Sequence, residues 1–280
     1  MAELEWGTGQ PGAPLASSRS GAVAEAARLL QPKHRRTSGL FLAEGPQAAQ
    51  AVLGEPGMAL RLFVTPAAGA DHAALVAAAH SQALTVTWCE DSAIARLTTA
   101  STPAGVVAVA RMRPAALADA LQGARLAVAL WQANDPGNVG TIIRTTDAVA
   151  ADAVVLSPGS VDPYNDKCVR STAGSIAHVP VVTGADFAEV VERARAEGMR
   201  VIATAVHGER LDAPHMRSSL AGPVLWVFGS EAHGLPEDVL AEADAVVAVP
   251  MFGRAESLNL AVAAGVCMYA SAMAQRSANT

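Results

Sequence analysis

Two polar side chains, Asn138 and Arg144, interrupt an apolar segment that otherwise predicts a buried helix. Both lie in NDPGNVGTIIR, which directly follows the apolar run RLAVALWQ. The Asn-Asp-Pro-Gly sequence predicts a turn, and the turn would place Asn138 near a helix N-terminus. Free backbone N–H groups at such an end favour an anion or a carbonyl oxygen. Arg144 is then either a salt-bridged or snorkelling arginine or a positive charge kept for a ligand.

Two later loops carry further polar groups that could join this pair. GSEAHGLP, residues 229–236, holds Glu231 between two glycines that permit close backbone approach. PMFGRAESLNLAVAAG, residues 250–265, holds Ser257 and Asn259 at the start of the final apolar helix. Helix capping explains Ser257, whereas it explains Asn259 less well. The alternative for Glu231 is a solvated carboxylate in a plain turn.

Other common kinds of site find no support in the sequence. The first loop lacks GxGxxG and the acidic residue that a dinucleotide fingerprint requires. No Cys or His spacing predicts zinc, and we expect no metal. Three sparse cysteines, Cys89, Cys168 and Cys267, indicate a reducing cytoplasm. His233 has no partner pattern, so it is interpreted as a surface or loop residue.

The elements that must position these loops alternate between strands and helices. In the C-terminal half, strands are predicted at 126–131, 153–157, 179–182, 200–205, 223–228 and 245–249, with helices near 139–150, 165–175, 186–197, 236–242 and 257–274. Continuous apolar strands are typical of a parallel sheet covered on both faces. Ligands bind beyond the carboxyl ends of the strands in such sheets, so the three loops are expected to converge.

A length of 280 residues with 51% hydrophobic residues favours two domains. We predict a mobile N-terminus at 1–18, a small α/β domain at 19–112, a linker at 113–124 and a second domain at 125–280. The N-terminus shows no signal-peptide pattern. The apolar segment 258–274 is short for a membrane span and contains Asn259. It is therefore interpreted as a buried or interface helix, and no membrane association is expected.

Charge is unevenly distributed along the chain, which carries −6 in total. Residues 1–113 have nine Lys/Arg against eight Asp/Glu, and residues 114–280 have eleven against eighteen. The basic cluster KHRR lies in the first part, so Lys33, Arg35 and Arg36 are candidate contacts for RNA phosphates. The alternative is a solvated helix end.

The three loops resemble, in order, motifs 1, 2 and 3 of the SpoU (TrmH-like) family of SPOUT RNA methyltransferases. The matching segments are NDPGNVGTIIRTTDA, FGSEAHGLP and VPMFGRAESLNLAVA. KCVRSTAGSIAHVPV resembles the segment between motifs 1 and 2, and FLAEGPQAAQAVL resembles the start of the family's L30e-like domain. The resemblance implies an α/β fold: a small L30e-like substrate-binding domain, followed by a SPOUT methyltransferase domain with a parallel sheet and a deep trefoil knot.

The family also implies methyl transfer from S-adenosylmethionine to a ribose 2′-hydroxyl of RNA. The resemblance favours 23S ribosomal RNA, a homodimer formed through the C-terminal domain and a site at the subunit interface. The matched catalytic positions are Arg144, Asn138, Glu231, Ser257 and Asn259; the cofactor positions are Gly229, Val249, Met251, Leu258 and Thr204; Arg170 matches a position suited to phosphate contact. The alternatives are a tRNA 2′-O-methyltransferase and a catalytically silent RNA-binding or assembly protein with this fold.

Two positions qualify the resemblance. The family usually has glycine where this chain has Ala150, so alanine costs about 1 kcal/mol if the position needs a positive φ. The family's proposed general base is the arginine, yet a guanidinium stays protonated in proteins. Our hypothesis is therefore that Arg144 holds the target phosphate and stabilises the developing alkoxide electrostatically.

Overall fold

The computed structural model describes residues 15–277. The chain divides into two compact units. The first unit is Met1–Met112 together with Pro163–His178, and the second is Arg113–Asp162 together with Val179–Thr280. Residues 163–178 therefore pack with the first unit, although they lie between two strands of the second.

The strands of the described residues are β1 (Leu40–Glu44), β2 (Ala59–Val64), β3 (Thr85–Trp88), β4 (Val106–Arg111), β5 (Leu126–Leu130), β6 (Ala153–Leu156), β7 (Val181–Thr183), β8 (Arg200–Arg210), β9 (Val224–Phe228) and β10 (Ala245–Ala248). The helices are α1 (Gly21–Ala27), α2 (Pro32–Ser38), α3 (Pro46–Gly54), α4 (Pro66–Asp71), α5 (Ala73–Ser81), α6 (Asp91–Arg96), α7 (Leu117–Leu121), α8 (Pro136–Ala148), α9 (Asp166–Thr172), α10 (Phe187–Ala196), α11 (Met216–Ser219), α12 (Glu237–Ala241) and α13 (Leu260–Ser277). Short 3-10 helices occur at Arg28–Leu30 and Ser175–Ala177.

The first unit is built on a four-stranded mixed sheet in the order β1-β4-β2-β3. Strand β4 runs antiparallel to β1 and β2, and β3 runs parallel to β2. Of the predicted mobile segment 1–18, residues 1–14 lie outside the described residues. Ala16 is hydrogen-bonded to the end of β3, where its N–H donates to the Trp88 carbonyl over 2.8 Å.

The second unit is built on a six-stranded parallel sheet in the order β10-β8-β9-β5-β6-β7. Strands β5 and β9 are neighbours and are buried along their whole length. The predicted α/β fold with a parallel sheet is therefore confirmed. Its order places the ends of β5, β9 and β8 side by side, so the loops that leave these strands are neighbours too.

Helix α13 is tied to this sheet at its far end. The Trp226 indole on β9 is fully buried, and its Nε1 donates to the Ser271 hydroxyl over 2.9 Å. Four residues later, the Gln275 amide donates to the carbonyls of Arg125 and Gly222. Since an unpaired buried indole N–H would cost free energy, these bonds fix where α13 lies on the sheet.

Two segments differ from a simple alternation of strands and helices. Residues 113–124, which the sequence predicts as a linker, belong to the second unit because Ala120 and Leu121 of α7 are buried in its core. After α8, Ala150 adopts a left-handed conformation with φ 52°. The positive φ expected at this position is thus present, and alanine there costs about 1 kcal/mol relative to glycine.

No helix between residues 15 and 277 combines the length and the apolarity that a membrane crossing would need.

Candidate ligand pocket and catalytic residues

A pocket of about 680 Å³ lies in the second unit, beyond the carboxyl ends of β9 and β10 and along the second half of β8. Its volume falls within the range of sites for small molecules and cofactors. Most of its lining comes from three segments: Thr204–His207 of β8, the loop after β9, and the loop between β10 and α13. The parallel sheet accounts for this convergence, because its strand ends meet at one edge.

The loop after β9 is closed by its own backbone. Ser230 and Gly234 exchange two backbone hydrogen bonds of 2.9 and 3.2 Å, and Gly234 has a φ of +66°. A Cβ on Gly229 would lie 2.1 Å from the Gly234 carbonyl carbon and 2.4 Å from the Leu235 nitrogen. Because these are backbone atoms, only glycine at position 229 allows the loop to close at the pocket.

Three of the predicted catalytic side chains form one hydrogen-bonded chain. Asn259 Nδ2 donates to Asn138 Oδ1 over 2.8 Å, and Asn138 Nδ2 donates to Glu231 Oε1 over 2.8 Å. Asn259 Oδ1 accepts the backbone N–H of Ala261 at the start of α13. This last bond sets the orientation of the Asn259 amide, and each amide then sets the next.

The cap of α13 differs from the prediction. The sequence assigns capping to Ser257, whereas α13 begins at Leu260 and Asn259 accepts the N–H groups of Ala261 and Val262. Ser257 instead lines the pocket. Helix capping and the link to Asn138 are therefore both functions of Asn259, which joins the start of α13 to the first turn of α8.

Helix α8 begins with a side-chain cap and carries Arg144 on its exposed face. The Asp135 carboxylate accepts the Asn138 N–H over 2.9 Å, and Pro136 occupies the first turn. Ile142 and Ile143 are buried, whereas Arg144 is exposed and has no hydrogen bond or ion pair with another described residue. Arg144 does not line the pocket of its own chain.

The structure brings most of the predicted site residues together. All five predicted cofactor positions, Thr204, Gly229, Val249, Met251 and Leu258, line the pocket. Glu231, Ser257 and Asn259 line it as well, Asn138 is attached to them by hydrogen bonds, and Arg144 stands apart.

Sequence reasoning missed three titratable residues of the pocket: His207, His233 and Glu256. The sequence interpretation leaves His233 as a surface or loop residue, and it is an exposed residue of the loop that lines the pocket. The rule that ligands bind at strand ends could have indicated His207, because β8 is longer than its apolar run and His207 follows Thr204 by three residues.

The basic cluster of the first unit divides into exposed and buried residues. Lys33 and Arg36 are exposed on α2. Arg35 is 1% exposed, and its guanidinium donates to the carbonyls of Leu29 and Leu30 over 2.8 and 3.0 Å. The prediction of Arg35 as a phosphate contact is therefore corrected. Its side chain satisfies the end of the preceding 3-10 helix and is not available to RNA.

Arg170 on α9 is held by acidic neighbours within the first unit. Its guanidinium contacts Glu44 at 2.6 Å and Asp166 at 3.0 Å, and it donates to the Thr99 hydroxyl over 3.2 Å. Burial alone would raise the pKa of Asp166, but hydrogen bonds from Thr99 and Arg170 outweigh it and hold that pKa below its usual value. Two carboxylates thus already balance the positive charge of Arg170, the residue that the sequence analysis expects to contact an RNA phosphate.

The cysteines are not placed as nucleophiles. Cys89, Cys168 and Cys267 are buried, and none of them is in a disulfide. Burial raises the pKa of the Cys267 thiol to about 12 and that of Cys89 to about 11, so both stay protonated near neutral pH. Within residues 15–277, no group of three or more His, Cys, Asp or Glu side chains is placed to hold a metal ion.

A parallel α/β sheet with a pocket of this kind beyond its strand ends defines a class of α/β proteins that bind small molecules or cofactors. Within this class, residues 125–269 match the SpoU rRNA methylase family, and residues 22–108 match the MRM3-like substrate binding domain. The chain belongs to the SpoU rRNA methylase family.

Relatives of nearly full length support this assignment. The 23S rRNA (guanosine(2553)-2′-O)-methyltransferase RlmP of Bacillus subtilis is 32% identical over 255 residues, which is 91% of this chain and 97% of the relative. The crystal structure of an AdoMet-bound rRNA methyltransferase from Sinorhizobium meliloti has a TM-score of 0.78 at 29% identity, covering 92% of this chain and 97% of that one. AviRb from Streptomyces viridochromogenes, a SpoU methyltransferase solved with AdoMet, has a TM-score of 0.78 at 26% identity, with coverages of 92% and 100%.

Proposed function

We propose that this protein transfers a methyl group from S-adenosylmethionine to a ribose 2′-hydroxyl of RNA, and that the RNA is 23S ribosomal RNA. The observation that carries the proposal is the pocket of about 680 Å³, which gathers all five expected cofactor residues beside the Asn259–Asn138–Glu231 chain. Relatives named for this reaction, RlmP in particular, support the choice of ribosomal RNA.

The residues present fit the proposed cofactor. Val249, Met251 and Leu258 offer apolar surface, and the tight backbone at Gly229 brings main-chain groups to the pocket wall. Thr204 is positioned by its hydroxyl, which donates to the Val227 carbonyl over 3.2 Å. When bound, S-adenosylmethionine supplies a methyl group on a positively charged sulfur for attack by the ribose oxygen.

The protein's own residues then act mainly by alignment and electrostatics. The amide–carboxylate chain joins the first turn of α8 and the loop after β9 to the start of α13, so these three segments keep one geometry. Arg144 would contribute the fixed positive charge that stabilises the developing alkoxide and holds the target phosphate. This role needs a free guanidinium, which the exposed face of α8 provides.

Two measurements test the proposal. Titration calorimetry with S-adenosylmethionine should show binding, whereas a silent RNA-binding protein with this fold need not bind it. Mapping of 2′-O-methyl marks on total RNA, with and without the gene, should then show one mark lost from 23S ribosomal RNA. Loss of a tRNA mark instead would favour the tRNA alternative, and loss of no mark would contradict the enzyme function.

We also propose a homodimer formed through α13. Its exposed apolar side chains, Val262, Val266, Tyr269 and Met273, are spaced four, three and four residues apart and are 41–60% exposed. This spacing places them along one stripe of the helix, and an apolar stripe is a surface that favours association. Since α13 packs against α8, a second copy on this stripe would lie near the helix that carries Arg144.

Val266→Glu is expected to convert the dimer to a monomer in sedimentation experiments and to abolish methyl transfer. The reason is that a charge would be buried in the middle of the apolar stripe. Ala74→Glu adds the same charge to an exposed position of α5 in the first unit and should leave the dimer intact. A wild-type protein that sediments as a monomer at micromolar concentration would contradict this proposal.

For RNA, we propose phosphate contacts from Lys33 and Arg36 in the first unit. The double variant Lys33→Ala/Arg36→Ala is expected to weaken RNA binding and to lower the slope of log affinity against log salt by about 0.7–0.9 for each lost contact. Affinity for S-adenosylmethionine should not change. Arg35 is left in place because its removal would strand the carbonyls of Leu29 and Leu30.

The matched control is Lys33→Arg/Arg36→Lys, which keeps both charges and should keep the salt slope. An unchanged slope in the alanine variant would show that the contacts lie elsewhere. Arg170 is a poorer candidate than Lys33 or Arg36, because Glu44 and Asp166 already balance its charge. A cytoplasmic location is proposed with the ribosomal substrate, and three cysteines outside any disulfide are consistent with a reducing compartment.

A further inference from the structure

Phe252 is an aromatic side chain that the site described above does not use. It is 83% exposed, which is unusual for a large apolar ring in a folded protein. It directly follows Met251, which lines the pocket, so it belongs to the loop that forms one wall of the proposed cofactor site.

A guanidinium group accompanies the Phe252 ring. Arg210 Cζ lies 5.5 Å from the ring centroid, within the range of a cation–π contact. Arg210 Nε and an Nη donate to the two carboxylate oxygens of Asp212 over 2.9 and 2.8 Å. Its backbone is also fixed, since Arg210 is paired with Ala248 at the end of β8 and β10. The planar group is therefore held beside the ring by two independent restraints.

This exposed pair of planar groups differs from the apolar stripe on α13. The stripe contains three aliphatic side chains and a tyrosine on a helix, and it has the character of a protein interface. The Phe252 surface instead combines one aromatic ring with a guanidinium, and the exposed Arg254 lies two residues further along the same loop. Aromatic rings and arginine planes are the groups on which unpaired nucleobases stack, and positive charge attracts the phosphates between them.

We propose that Phe252, held with Arg210, stacks on an unpaired nucleobase of the RNA substrate beside the nucleotide that is methylated. This inference rests on the proposed function and specifies its substrate class. A base within a duplex is already stacked and cannot offer its face, so the target belongs to a single-stranded segment or a loop. This contact selects for an unstacked base. It does not distinguish one kind of base from another, because every base has a π-face.

The first test uses Phe252→Ala. Its KM for ribosomal RNA prepared from cells that lack the gene should rise by between about 5- and 150-fold, the range of one lost base–aromatic stack. Its affinity for S-adenosylmethionine and its sedimentation as a dimer should not change. Ala255→Ser, an exposed change in the same loop, is the control and should behave as the wild type.

The second test does not depend on methyl transfer. Phe252→Trp places a fluorescent ring at the site and should retain a KM close to that of the wild type. A single-stranded RNA 12-mer should quench the added fluorescence, and the same strand in a fully paired duplex should quench it much less. Arg210→Ala in this background should weaken the quenching.

The outcomes separate the possibilities. An unchanged KM for Phe252→Ala together with no quenching by the 12-mer would overturn the proposal. A shift from dimer to monomer in Phe252→Ala would assign the ring to a second copy of the chain, which also overturns it. If the wild type methylates no RNA but the Trp variant is quenched by single strands, the proposed reaction fails while the stacking surface stands.

Discussion

Replacing Arg144 with alanine is expected to lower the rate of methyl transfer by about 100- to 1,000-fold, the usual effect of losing one electrostatic contact to the developing charge. Arg144 is exposed on α8 and has no hydrogen bond or ion pair with another described residue, so its removal breaks neither kind of interaction within the described chain. Affinity for S-adenosylmethionine and the melting temperature should therefore stay the same. Single-turnover assays with labelled cofactor measure the rate.

Arg144→Lys separates the two roles that the arginine could have. Lysine keeps the positive charge, so partial activity is expected, with a decline at high pH as the amine loses its proton. If the lysine variant instead regains full activity at high pH, a free base is required and the electrostatic role is wrong. Arg217→Ala, which removes an exposed arginine from α11, is the control and should retain the wild-type rate.

The second large effect is expected at Gly229. Gly229→Ala would place a methyl group 2.1–2.4 Å from backbone atoms of Gly234 and Leu235, which cannot move without opening the loop. A displacement of about 1 Å at a reacting centre can lower a rate 100-fold, and a loss of that order is expected here. Calorimetry should show weakened binding of S-adenosylmethionine, because the loop is part of the pocket wall.

Gly253 offers a matched control in the neighbouring loop. No heavy atom lies within 4 Å of a Cβ built there, and its φ lies outside the positive range. Gly253→Ala should therefore bind the cofactor as the wild type does. Thermal melting by circular dichroism checks that both variants fold. Normal cofactor affinity in a folded Gly229→Ala variant would contradict the assignment of this pocket.

Combining the two variants tests whether Arg144 acts on the pocket of its own chain. Co-expressed Arg144→Ala and Gly229→Ala subunits with different tags can be purified as mixed dimers. If the site is shared between subunits, each mixed dimer has one intact pocket that faces one intact arginine, and activity returns. If both groups act within one chain, the mixed dimers stay as inactive as either parent.

The strands and the loops that follow them could be predicted because their signals are local. β5 and β9 are continuous apolar runs, and the turn residues after them are explicit in the sequence. The same local reasoning was wrong for Arg35. Because this residue lies in a cluster of charged residues, its side chain is expected to be solvated. Its burial depends on the Leu29 and Leu30 carbonyls, which become available only when a 3-10 helix precedes α2.

The capping residue of the last helix also could not be predicted from local sequence alone. Ser257 and Asn259 are both good capping residues, so propensity alone does not choose between them. The choice depends on where α13 lies, and that is set by bonds at its far end from Trp226 to Ser271 and from Gln275 to Arg125. The trefoil knot, by contrast, stays an expectation from family resemblance, since no local pattern in a chain predicts threading.

By itself, the sequence determined the order of the elements, the parallel character of the second sheet and the set of polar residues placed at its strand ends. Only the tertiary structure decided which of them meet. Asn138 bonds with Glu231 across 93 residues of sequence and with Asn259 across 121, whereas Arg144, six residues from Asn138, lies on another face. The physical reason is that helix and strand propensities act over a few residues. Contact between distant side chains depends instead on strand order and helix packing, which the whole chain specifies.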